Sequence, residues 1–263
     1  TVSMLGSDYE EVFIRRENGS MNDALIGSFI SAMSTGLGAV PILFMRKVTH
    51  RLRDILLAYA AGIMTSASVY NLIPEALGQS NLFVLALGIM LGSMVLLVLE
   101  MKIPHVDLEN PEKVPFKIEA KAFMIIAAIT MHNLPEGLSV GVSYASTDAG
   151  LGNLIAFSIG LQNAPEGFLV ALFLVNQNIG RFKALGIATL TGAVEIITAM
   201  IGYTLSSLVA GLVPYGLAFA AGAMMFIVYK ELIPESHGDG NARVATVSFL
   251  LGLITMIGLT ELF

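Results

Sequence analysis

Eight apolar runs, each long enough to cross a lipid bilayer, constrain this chain more than any other feature. They cover residues 23–45, 54–77, 81–101, 120–146, 150–176, 181–208, 212–235 and 243–262. Spanning the hydrocarbon core takes about 20 apolar residues in a helix. Inside lipid the backbone must satisfy its own hydrogen bonds, which leaves helices or a closed barrel. Barrel strands would appear as alternating segments of about ten residues, and these runs do not alternate. Composition agrees: 13% of residues are charged and the mean hydropathy is +0.77, where a soluble domain carries about 25% charged residues. The expected fold class is an all-α integral membrane protein with eight transmembrane helices.

Lys and Arg set the expected orientation, because they concentrate in cytoplasmic joints. Eleven of the fourteen basic residues fall in the odd-numbered joints, among them Arg46, Arg51, Lys113, Arg181 and Arg243. The other side has only Arg15 and Arg16, and Lys230 lies inside a span. Both termini are therefore expected outside the cytoplasm. Residues 1–22, which contain Asp8, Glu10, Glu11 and Glu17, lack the basic start and apolar core of a signal peptide. They read as an extracytoplasmic tail or surface helix before a single transmembrane domain at 23–263. Residues 102–119, with Pro104, Pro111 and Pro115, read as a mobile cytoplasmic loop. The net charge of −6 gives no hint of nucleic-acid binding, and the absence of cysteine removes thiolate metal sites.

An internal repeat orders the spans. Tyr59-Ala-Ala-Gly-Ile-Met64 and Asn71-Leu-Ile-Pro-Glu75 in span two match Phe219-Ala-Ala-Gly-Ala-Met224 and Glu231-Leu-Ile-Pro-Glu235 in span seven, without a gap. Span two runs outward and span seven inward, so the units are inverted. A second pair lies on spans four and five: His132-Asn-Leu-Pro-Glu-Gly137 and Gln162-Asn-Ala-Pro-Glu-Gly167. The expected arrangement is 3+2+3. Inverted repeats of this kind mark secondary transporters, whose sites lie near the bilayer midplane.

The central pair carries the chemistry. Four residues make about one helical turn, so His132 and Glu136 share a face, as do Gln162 and Glu166. Glu195 on span six falls at about the same depth. Three carboxylates there would cost roughly 8–10 kcal/mol by simple addition, so they call for a cation. Imidazole with carboxylate oxygen suits zinc and its first-row neighbours. For Glu195 taken alone a structural hydrogen bond is the alternative. Asn133 and Asn163 offer neutral oxygen ligands or places for water. Pro135 and Pro165 each free the carbonyl four residues earlier and predict a kink, while Gly137 and Gly167 allow close helix approach. Met64 and Met224 read as core fillers with a soft-ligand alternative. Lys230 beside Glu231 reads as a snorkelling or structural pair. Glu75, Glu235 and His237, at span ends, are solvated or line the ion's route. His105, Asp107 and Glu109 read as an ordinary solvated loop.

These motifs resemble the ZIP (Zrt/Irt-like) divalent-metal transporters over the whole chain, and Gln162 in place of a second His is similar to the GufA-like branch. The resemblance implies a midplane metal held by His132, Glu136, Gln162, Glu166, Glu195 and Met64. It implies a second metal in some members, beside Asn133 and the residue at 163. The resemblance also implies Asp in some relatives where this chain has Asn163, and His in several where it has Lys230. Both departures lower the local negative charge and count against a second tightly held metal. Lys230 would then stand in the exit path. The resemblance also implies a homodimer in the cell membrane that moves Zn²⁺, and often Fe²⁺, Mn²⁺ or Cd²⁺, into the cytoplasm.

The expected function is thus alternating-access import of a divalent transition metal as substrate, with no prosthetic group and no enzyme activity. No Gly-x-x-x-x-Gly-Lys-Ser/Thr motor signature is present. The alternatives are an intramembrane metal-dependent hydrolase and a metal exporter. The hydrolase lacks the His-Glu-x-x-His pattern, since Asn133 follows His132.

Overall fold

The computed structural model describes residues 3–45, 48–102, 118–148, 150–209, 211–238 and 240–262. Among the described residues eight long helices follow one another. They are α1 (Ser3–Ala39), α2 (His50–Gly78), α3 (Leu82–Lys102), α4 (Ile118–Tyr144), α5 (Leu151–Asn176), α6 (Arg181–Leu208), α7 (Val213–His237) and α8 (Ala242–Thr260). Seven are long and apolar enough to cross a membrane, and the eighth, α4, has 27 residues and packs among them. The chain is an all-α, multi-pass membrane protein. The helical backbone of α1 runs from Ser3 into span one without a break. Most of the expected loop at 102–119, including His105, Asp107 and Glu109, lies outside the described residues.

The packing follows the repeat. Under the 3+2+3 scheme α1 corresponds to α6, α2 to α7, α3 to α8 and α4 to α5. The main pairings obey that exchange: α1 packs on α5 as α6 does on α4, and α2 packs on α8 as α7 does on α3. The close approaches repeat residue by residue. A methyl group built on Gly62 would stand 2.1 Å from the Phe249 carbonyl oxygen, and one on Gly222 would stand 2.3 Å from that of Ile89. One on Gly252 would meet the Tyr59 oxygen at 2.2 Å, and one on Gly92 the Phe219 oxygen at 2.0 Å. Small residues let helices touch backbone to backbone where no hydrophobic force distinguishes helix from lipid.

α-Helix continues through Pro135 and Pro165. The irregular turns lie elsewhere. π-Turns occupy Ala67–Leu72 in α2 and Val228–Leu232 in α7, just before Pro74 and Pro234. Each proline lacks the N–H that would bond the carbonyl four residues back, and a wider turn absorbs the mismatch. These turns re-aim Asn71 and Glu231, the repeat-related polar residues within them.

Candidate metal centre

The small residues of the two motifs bring four helices together. A methyl group on Gly137 would stand 2.3 Å from the Glu195 carbonyl oxygen, and one on Gly167 would stand 1.9 Å from that of Thr35. So α4 lies against α6, and α5 against α1, with no room for a side chain. The repeat places Thr35 where Glu195 stands in the other half. Around the crossing, Ala32 of α1 meets Gly192 of α6.

The motif side chains meet here, mostly through one another. Gln162 Nε2 donates to Glu136 Oε1 at 2.8 Å, joining α5 to α4. Asn163 Nδ2 donates to both Glu195 oxygens, at 2.8 and 2.9 Å, and Ser31 Oγ donates to Glu195 Oε2 at 2.8 Å. Asn133 and Asn163 also form matching bonds: Asn133 Nδ2 to the Thr191 carbonyl at 2.7 Å, and Asn163 Nδ2 to the Ser31 carbonyl at 3.2 Å. Glu166, one turn beyond Gln162, is within electrostatic reach of His132, Glu136 and Glu195. Glu136, Gln162 and Glu195 are wholly buried.

Three buried oxygens in this group have no donor: Glu136 Oε2, Gln162 Oε1 and Asn163 Oδ1. An unsatisfied buried acceptor costs about 1–3 kcal/mol. Oxygen acceptors lacking donors beside carboxylates fit a hard or borderline cation. Among the described residues, however, no three His, Asp or Glu side chains converge closely enough to hold a metal as they stand. The donors of Gln162, Asn163 and Ser31 occupy carboxylate positions instead.

His132 has its partner on another helix. Its Nε2 stands 2.8 Å from Glu231 Oε2 in the π-turn of α7. Lys230, next to Glu231 in sequence, reaches a carboxylate on another helix. Lys230 Nζ pairs with Glu100 Oε1 of α3 at 3.4 Å, and its side chain is 49% exposed. Successive residues on a helix point in different directions, so neighbours in sequence do not face one another. Lys230 is thus half-exposed and bonded to α3. Met64 and Met224 are fully buried in the shared core. Glu75 accepts from Gln79 Nε2 at 2.5 Å and Ser146 Oγ at 2.6 Å. Glu235 is partly buried near the end of α7. His237 Nδ1 lies 2.9 Å from the Ile233 carbonyl on an exposed turn.

Ser31 was missed in the sequence motifs. Its signal was a polar stripe on an apolar helix. Ser28, Ser31 and Thr35 recur at three- and four-residue spacing and are all buried.

Comparison with known proteins matches this architecture. The ZIP zinc transporter family model matches residues 102–260. The chain is 34% identical to the zinc transporter GufA of Myxococcus xanthus over 244 residues, 89% of this chain and 96% of that protein. It is 35% identical to the zinc transporter ZIPB of Bordetella bronchiseptica over 244 residues, 89% of this chain and 79% of that one. It is 30% identical to the zinc transporter ZupT of Chlorobium luteolum over 258 residues, 89% of this chain and 95% of that one. Motifs, repeat and kinship converge: the chain belongs to the ZIP zinc-transporter family, in its GufA-like branch.

Proposed function

We propose that this divalent-metal transporter takes Zn²⁺ and similar ions as substrate through a midplane site on α4, α5 and α6, and delivers them to the cytoplasm. Family membership in transporters removes the hydrolase alternative. The observation that carries the site is the set of buried oxygens without donors on Glu136, Gln162 and Asn163. Acceptors without donors beside buried carboxylates are costly in an apolar bundle, and a cation in passage would offset that cost.

The hydrogen bonds of the centre suggest how the ligands assemble. Gln162 donates an amide hydrogen to Glu136 while its own oxygen is unused. A cation at Glu136 would displace that hydrogen and accept the Gln162 oxygen as ligand. His132, once released from Glu231, lies on the Glu136 face of α4 and completes the set with Glu166. The metal thus competes with internal hydrogen bonds, which keeps binding weak enough for release.

The helix pairing supports a moving body. The polar groups of the centre lie on α1, α4, α5 and α6, which pack backbone to backbone. The other four helices form the pairs α2–α8 and α3–α7. An elevator-like shift of the first four against the second four would carry the site between faces, remaking the His132–Glu231 contact on the way. The distribution of Lys and Arg supports a cell-membrane orientation with both termini outside. The family resemblance adds a homodimer.

Uptake of radioactive zinc by purified protein in liposomes tests the activity. Cells expressing the chain should accumulate zinc. Loss of zinc from those cells would reverse the vector and make the chain an exporter. Normal uptake by both Glu136→Ala and Glu166→Ala would remove the proposed site.

A further inference from the structure

Glu195 is the most heavily bonded carboxylate of the centre, and its bonds come from outside its own helix. Ser31 Oγ of α1 donates to Oε2, and Asn163 Nδ2 of α5 bridges both oxygens. Ser31 and Asn163 are themselves linked: Asn163 Nδ2 lies 3.3 Å from Ser31 Oγ and 3.2 Å from the Ser31 carbonyl. All three residues are buried. The other half of the repeat has Thr35 in place of Glu195, and the Thr35 hydroxyl oxygen is buried without a partner. The hydroxyl–amide–carboxylate cluster is therefore an asymmetric addition to a symmetric frame.

We infer that Ser31 is a positioning residue for the transport site: its hydroxyl orients the Glu195 carboxylate and thereby sets the affinity for metal. This rests on the site proposed above. A carboxylate has about four lone-pair positions. The contacts from Ser31 and Asn163 take three of them, two on Oε2 and one on Oε1, which leaves a position on Oε1 for the metal. Charge-assisted bonds of this kind hold the carboxylate in one orientation and draw charge from it. Partners that orient a ligand group typically change metal affinity by about 10–100-fold when removed. Ser31 also ties α1, which contributes no ligand, to the state of the site.

The test is equilibrium Zn²⁺ binding to the purified full chain, by competition with a chromogenic chelator. Ser31→Ala should raise the dissociation constant by about tenfold. Ser28→Ala is the control: that hydroxyl is equally buried on α1 but donates only to the Leu25 carbonyl of its own helix. It should leave binding unchanged. In a Glu195→Gln background Ser31→Ala should add little, because Ser31 acts through Glu195. If Ser31→Ala does not reach the membrane, Ser31→Cys replaces it as a weaker donor and should weaken binding by a smaller factor. An unchanged constant in the variant measured, an equal effect of Ser28→Ala, or full additivity with Glu195→Gln overturns the inference. Failure of the site itself looks different: Glu136→Ala and Glu166→Ala would then bind zinc normally.

Discussion

His132 Nε2 and Glu231 Oε2 stand 2.8 Å apart, joining the metal motif of α4 to the π-turn of α7. The contact engages the imidazole of the motif with a carboxylate on another helix. If His132 must leave Glu231 to bind metal, that contact opposes binding. A hydrogen bond to a charged group contributes about 1.5–3 kcal/mol. Glu231→Gln weakens it, so zinc should bind the variant more tightly, by a factor on the order of ten. His132→Ala should bind less tightly than the unmodified chain. Isothermal titration with both variants checks the pair, and a Glu231→Gln constant equal to or weaker than that of the unmodified chain contradicts the competition.

Substrate should stabilise the fold through the same residues. A ligand that binds only the folded state adds about 2.7 kcal/mol at a hundredfold excess over its dissociation constant. Zinc should therefore raise the melting temperature of the unmodified protein in detergent. Glu136→Ala and Glu166→Ala should melt at the same temperature with and without zinc. A zinc-dependent shift retained in both variants would place the ion elsewhere.

Acid should inhibit uptake. Zinc and protons compete for the same lone pairs on His132, Glu136, Glu166 and Glu195. Lowering the pH therefore favours the protonated, unliganded site, and raising it favours the metal. The apparent KM for zinc should rise as pH falls, with a smaller change in the maximal rate. Uptake measured from liposomes over a pH series, with no imposed gradient, reads this sign directly. A KM that falls in acid would show that these side chains are not what the metal displaces protons from.

The helix crossings should tolerate no added carbon. A methyl group on Gly141 would stand 1.9 Å from the Ala199 carbonyl oxygen, whereas Gly186 on α6 has open space around it. Gly141→Ala should cost about 1–3 kcal/mol through forced separation of α4 and α6. Gly186→Ala should be neutral or stabilising by up to about 1 kcal/mol, since alanine is the better helix former. Thermal melting of the two variants separates packing from propensity. Equal stability would mean that α4 and α6 do not lie in contact at Gly141.

Much of this was legible along the chain because it depends on local periodicity. Eight apolar runs specify spanning helices, since only intrahelical bonding satisfies a backbone in lipid. The duplicated segments around Met64 and Met224 specify the inverted pairing, and the four-residue spacing puts His132 and Glu136 on one face. Partner choice was not legible. His132 with Glu231, Lys230 with Glu100, and Glu195 with Ser31 and Asn163 are meetings of distant helices. Each depends on where helices cross, which small residues set, and the first two also on how the π-turn before Pro234 aims the side chains within it. Helical spacing says which groups share a face. Only the assembled bundle decides what that face meets, because a polar group in an apolar interior takes whichever partner the crossing brings within about 3 Å.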